Sequence, residues 1–251
     1  MNRLTTAAIL LFFIALANSK IVGQNLPPAG IRLVRITYLT SNLDSLTRTF
    51  IKKGFRIIPG KREPDGVFNN KLMLQDGSEI ILETTLSSNG DDWRVQTLRK
   101  YKNYISGLVF EVDSIESLLY LMKLSNIPIQ SININKSYAF ALDSCAPLDV
   151  VFIPNDTLNI YSKGFDSFTR HPNHVFRFDW ILLSASPLVE LRLRKFFEVV
   201  GARKMHGGCC DFWRLGPPDD FCFFRFDPLP PKAKGIKDWL SIEPNGIYFA
   251  Y

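Results

Sequence analysis

Apolar and polar residues alternate in short stretches along the chain, and three of these stretches run into segments where the apolar period lengthens to that of a helix. Residues 32–40 alternate as a strand, and Ser41 stands where it would cap a helix with the stripe Leu43, Leu46, Phe50 and Ile51. Gly54 follows at a position that favours a left-handed residue. Residues 55–58 start a second strand, Pro59 and Gly60 break it, and residues 72–75 and 79–84 make a hairpin around Asp76-Gly77. A second copy opens with a strand at 108–112 and a capping-box-like Asp113 and Glu116. Ile115, Leu118, Leu119 and Met122 form its helical stripe, Asn126 stands in for the terminating Gly, and strands are expected at 131–135, 138–142 and 150–153. The third copy has a strand at 175–183 and a helix starting at Ser186-Pro187. Leu188, Leu191, Phe196, Phe197 and Val200 face its core, Gly201 ends it, and residues 211–215 and 221–226 form a hairpin. A recurrence of roughly 70 residues marks internal repeats.

One helix for every three or four strands predicts an α+β fold: repeated βαβββ modules whose helices cover one face of curved mixed sheets and leave the other concave around a cavity. The boundaries read as a leader at 1–24, a first module at 25–105, a middle repeat at 106–170 with a weaker βαββ pattern, and a further module with a C-terminal tail at 171–251. The segment Asp91-Asp92-Trp93 reads as an exposed connection between modules.

Composition adds a compartment and removes some partners. The 251 residues suffice for one large domain or two small ones with a real core. The net charge of +6 comes from interleaved acids and bases, with no Lys/Arg cluster among aromatics, so nucleic acid is not an expected partner. The N-terminus begins with Asn2-Arg3, continues through an apolar run at 5–17, and reaches the small-residue triplet Ala17-Asn18-Ser19. That is the layout of a secretory signal peptide and predicts an extracytoplasmic protein, periplasmic or secreted, with no membrane association after its removal. Cys145, Cys209, Cys210 and Cys222 would then meet an oxidising compartment, where three pairings are open.

The first module carries a resemblance. Residues 35–57 run strand, Asn42-Leu43-Asp44, helix with Phe50, then Lys53-Gly54-Phe55-Arg56. Pro59-Gly60, Gly66, Asn69, Asp76-Gly77-Ser78 and Glu83 continue the order, and His171-Pro172-Asn173 precedes the third copy. This resembles the glyoxalase-like domains of the vicinal-oxygen-chelate superfamily. The resemblance implies paired βαβββ modules around a cavity, with the first and fourth strands of a module adjacent. In most of its enzymes it also implies a divalent metal held by His and Glu. One arrangement pairs the first and third copies around the cavity and leaves the middle one at the edge.

Tested residue by residue, that metal set is incomplete. The family's strand-one His falls at Arg35, whose guanidinium has no lone pair to give a cation. The family's Glu falls at Glu83, the one residue that would hold a metal if any does. Alternation turns Val34, Ile36 and Tyr38 toward the helix and Leu33, Arg35 and Thr37 into the cavity, with Glu79, Ile81 and Glu83 also inward. The expectation is an Arg35–Glu83 ion pair in place of a metal, mirrored by Asp179 and Arg225 in the third copy. Two Arg would suit an anionic ligand. His206-Gly207-Gly208-Cys209-Cys210 reads as a flexible connection rather than a metal site. The leading reading is an exported protein that binds a small, anionic organic molecule in Arg35, Thr37, Glu83, Asp179 and Arg225, without cofactor. The alternative is a metal-dependent lyase, isomerase or dioxygenase. A homodimer is compatible with either.

Overall fold

A computed structural model describes residues 30–247, apart from 64, 88, 102, 133–136, 141–148, 156–165, 174–176, 179, 186, 208–209, 217–221, 229–241 and 244–245. The leader, Cys145, Cys209 and Asp179 therefore lie outside the described residues. Among the described residues no helix is long and apolar enough to cross a membrane.

The first module is β1 (Ile31–Thr40), α1 (Leu43–Lys52), β2 (Ile58–Arg62), β3 (Val67–Met73) and β4 (Glu79–Thr85). A short helix α2 (Trp93–Tyr101) leads to the second: β5 (Asn103–Val112), α3 (Ile115–Leu124), β6 (Ile129–Ile132), β7 (Ser137–Phe140) and β8 (Asp149–Pro154). The two share one eight-stranded sheet in the order β2-β3-β4-β1-β5-β8-β7-β6. In each module the first strand pairs in parallel with the last, and β1 joins β5 antiparallel at the centre. The middle copy is thus a full βαβββ unit and the direct partner of the first, not an edge insert; a complete β1–β5 ladder of ten-residue strands decides the pairing.

Local devices differ from expectation by a residue or two. Asn42, not Ser41, caps α1 through its Oδ1 on the Ser45 N–H at 2.9 Å, and Ser114, not Asp113, caps α3 through its Oγ on the Ser117 N–H at 3.2 Å. Both helices bury one stripe, which leaves Ile51 exposed. β2 passes through Pro59 and Gly60 as an edge strand with a register shift, where Pro is tolerated. A side chain at Gly60 would collide with the Asn69 carbonyl, since a Cβ would lie 1.7 Å from its oxygen.

The largest local departure is in β1. The ladder to β5 shifts register between Leu33 and Arg35, so Val34 is a bulge residue. One added residue reverses the alternation. Ile31 and Leu33 join Ile36 and Tyr38 in the helix-side core, while Val34 packs on the other face with Val109, Val151 and Ile153. Leu33 therefore leaves the cavity face and Val34 takes it; Arg35 and Thr37 stay there.

The third copy forms its own sheet. It comprises β9 (Trp180–Ala185), α5 (Pro187–Val199), β10 (Arg203–Gly207), β11 (Cys210–Leu215) and β12 (Cys222–Pro228), in the order β10-β11-β12-β9. Of the stretch expected as a connection, His206 and Gly207 belong to β10 and Cys210 opens β11, while residues 208–209 lie outside the described residues. Phe196, Phe197, Trp213 and Phe224 merge with Phe110 and Phe152 in one core, with ring centroids of Phe110–Phe196 at 5.7 Å and Phe152–Phe196 at 5.4 Å. Phe110 and Phe152 belong to the helix side of the large sheet, so the third copy packs behind that sheet. Leu191, expected inward on α5, is exposed.

The connection into this copy is docked on the first module. After the four-residue helix α4 (Asp166–Thr169), His171 is buried and accepts the Arg56 N–H at Nδ1 (3.0 Å), while its Nε2–H donates to the Met73 carbonyl (2.7 Å). Both bonds together require the neutral ring, and burial and the charge of Arg56 lower its pKa against the pull of the Met73 bond. Asn173 Nδ2 donates to the Lys53 carbonyl at 2.9 Å, beside Gly54 at φ +84°. The last strands are a minimal pair, β13 (Ile242–Glu243) and β14 (Gly246–Ile247).

Candidate functional site

The concave face of the first module carries an open cleft of about 840 Å³. Its floor follows from register. β4 residues Ile80 and Leu82 are buried in the helix-side core, so Ile81 and Glu83 turn the other way, and the ladders set Lys71 and Thr37 beside Ile81 and Asn69 beside Glu83. Arg35, Thr37, Lys71, Ile81 and Glu83 all line the cleft, as does Arg94 from α2. Arg94 follows directly on Asp91-Asp92-Trp93, the segment expected as an exposed connection, none of which lines the cleft.

Arg35 does not pair with Glu83. The parallel register puts Arg35 opposite Glu79 and Leu39 opposite Glu83, a four-residue offset that alternation alone cannot see. Arg35 Nε donates to Glu79 Oε1, and Lys71 Nζ meets Glu79 Oε2 at 2.9 Å. The Glu79 side chain is 3% exposed, whereas Arg35 and Lys71 are 32% and 34% exposed. Two cations on one buried carboxylate leave one positive charge facing the cleft. Glu79 was legible as an inward residue but not as the anchor of this end, because its importance depends on which neighbours it meets.

Glu83 occupies the other end of the floor. Ser106, a buried bulge residue of β5, places its Oγ 3.1 Å from Glu83 Oε1 and 3.4 Å from the Thr37 carbonyl. One hydroxyl proton cannot serve both acceptors at once. The shorter contact takes it: the Ser106 hydroxyl donates to Glu83 Oε1, and the 3.4 Å approach to the Thr37 carbonyl is too long for a good O–H···O bond. Burial raises the Glu83 pKa, opposed by the Ser106 bond and Arg94 and reinforced by the charges of Asp65 and Asp149. Arg94 pairs with Asp65 at 3.4 Å and lies over the Trp93 ring, 5.1 Å from its centroid.

Of the residues expected from the third copy, Asp179 lies outside the described residues and only the backbone of Arg225 is described. Arg225 lies in β12 opposite Phe212 and Leu182. The adjoining Phe224 is buried in the core behind the large sheet, remote in topology from the cleft face.

No family model matches the chain, and no curated protein matches it in sequence. Solved structures share its architecture. A triple mutant of 4-hydroxymandelate synthase from Streptomyces coelicolor, a vicinal-oxygen-chelate enzyme, aligns with a TM-score of 0.51 at 12% identity, covering 82% of this chain and 66% of that one. This is the glyoxalase-like, vicinal-oxygen-chelate fold. A xylose isomerase-like TIM barrel/4-hydroxyphenylpyruvate dioxygenase fusion protein gives a TM-score of 0.56 at 10% identity over 82% of this chain, which spans only 33% of that protein. A hypothetical protein from Staphylococcus aureus gives 0.54 at 11% identity, covering 87% of this chain and 97% of that one. At such identities the likeness is one of fold.

The glyoxalase-like fold raises the question of a metal, and the described residues of the cleft do not fit one. The paired central strands offer Arg35, Thr37, Ile81 and Glu83 in the first module and Val109 and Val151 in the second. A divalent ion needs about three converging donors, and among the described residues no group of three His, Cys, Asp or Glu converges.

Proposed function

We propose that this protein is an exported binding protein of the glyoxalase-like fold that holds a small anionic organic molecule in the first-module cleft, without a divalent metal. The observation that carries this is the Arg35–Glu79–Lys71 triad, whose surplus positive charge faces the cleft from a fixed position. A guanidinium held by a buried carboxylate is already oriented to take a second carboxylate, so little order is lost on binding. Ile81 and the β2 residues Ile58 and Pro59 supply the apolar contact a small organic molecule needs. The leader at 1–24 supports export, and the N-terminal sequence of the mature protein checks it: a start between residues 18 and 25 supports export, and an intact Met1 overturns it.

The test of binding is calorimetric titration with short-chain monocarboxylates. The wild-type chain is expected to bind them, and Arg35→Val, Lys71→Met and Glu79→Val combined, which removes the triad as a unit, is expected to abolish it. Binding unchanged in that variant overturns the reading. The superfamily's enzymes keep a second reading in view, in which Glu83 exchanges a proton with substrate. Elemental analysis separates the metal-dependent form of it: a stoichiometric divalent ion in the purified protein would overturn the metal-free reading.

A further inference from the structure

The floor of the cleft runs from a cationic end to an anionic one. Arg35 and Lys71 share the buried Glu79 at the first, so one positive charge is left over. Glu83 lies four residues further along β4, about 13 Å at strand rise. Ser106 donates to its Oε1 at 3.1 Å, the role a hydroxyl takes toward an ionised carboxylate, and no other hydrogen bond or ion pair reaches Glu83 among the described residues. Glu63 and Asp65, from the β2–β3 connection, line the same end. The cations there are Arg94, which holds Asp65 at 3.4 Å, and Lys61, exposed on β2. Three carboxylates against two cations leave one negative charge over, the reverse of the other end, and Asp149 on β8 adds to the negative field at Glu83. Ile81 and Thr37 lie between the two ends.

We infer that the ligand is a zwitterion: its carboxylate lies on Arg35 and Lys71, its apolar stem on Ile81, and a protonated amine on Glu83. This rests on the proposed anion site and goes further, naming the charge at the other end. Glu83 is half-buried, and a carboxylate withdrawn from water without a counter-ion is costly. An ammonium on its open Oε2 supplies that counter-ion. Arg94 does not, because its guanidinium is engaged by Asp65 and the Trp93 ring and forms no ion pair with Glu83. A second carboxylate at this end would meet like charge, and an uncharged tail would leave Glu83 as it is. The acids of this end do not converge as a metal site would, which leaves a single ammonium as the cation that fits.

The experiment titrates the full chain near neutral pH with octanoate, ω-aminooctanoate and octanedioate. The amino acid is expected to bind tightest, with octanoate weaker by about tenfold or more and octanedioate weaker still. Glu83→Gln keeps the shape of the side chain and removes its charge; it is expected to bring ω-aminooctanoate level with octanoate and to leave octanoate unchanged. If ω-aminooctanoate binds no tighter than octanoate in the wild type, or keeps its lead in Glu83→Gln, the inference falls while the anion site stands. If none of the three binds, the anion site itself falls.

Discussion

The two halves of the large sheet are built to one plan and carry opposite chemistry. Both run strand, helix, three strands, both pair first strand to last in parallel, and both begin their helix on a side-chain cap. The central ladder sets Arg35 opposite Val109. Each of these has its parallel partner one strand outward: Glu79 beside Arg35, Val151 beside Val109. An ion pair in the first half thus stands where the second has two valines. The fold repeats positions, not their chemistry, and a second site equivalent to the first is not inherited with the second module.

The largest expected effect comes from stripping the first half of its cations. Arg35→Met with Lys71→Met leaves Glu79 buried and alone, which should cost about 3–5 kcal/mol in denaturant unfolding at neutral pH. A loss below ~1 kcal/mol would show that the triad is solvated. Next is the conversion of the first half into the second. Arg35→Val with Glu79→Val should leave stability within ~1 kcal/mol, because a buried ion pair is replaceable by apolar residues. The same variant with Lys71→Met added should lose carboxylate binding by at least tenfold, about 1.4 kcal/mol. A large loss of stability there would mean that the valine pair works only in its own half.

Smaller effects test what the halves share. Asn42→Ala and Ser114→Ala should each cost about 1 kcal/mol in thermal unfolding, and by similar amounts, since each removes one helix cap. The smallest concerns Glu83. Its folded pKa lies above the ordinary glutamate value, so between the two values the folded state binds more protons than the unfolded one. Stability therefore falls as pH rises through that window, and Glu83→Gln should flatten this segment of the stability–pH curve. An unchanged slope would place the titration elsewhere.

Much of this was legible in the sequence, and the misses share a cause. Period-two alternation put Arg35, Thr37 and Glu83 on the concave face, where they line the cleft. It failed at Val34, because a bulge is a property of the β1–β5 ladder and not of β1 alone. It failed again for the partner of Arg35, because Glu79 and Glu83 share a face and only the parallel register chooses between them. α2 was missed because its sparse apolar positions, Trp93, Val95 and Leu98, give little helical period. At Val34 and at the partner of Arg35, a quantity set by two strands was beyond a pattern read along one.

The position of the third copy has a consequence for how the chain is made. Synthesis delivers the whole eight-stranded sheet by residue 154, but Phe196, Phe197 and Phe224 follow only later. At about 5–20 residues per second, Phe110 and Phe152 wait several seconds for the aromatic rings that cover them. During that interval the nascent protein has a nearly complete sheet and an uncovered greasy back, the kind of surface that recruits a holding chaperone or another nascent chain. The yield of this protein should therefore depend on the pace of translation between residues 154 and 224 as well as on the stability of the finished molecule.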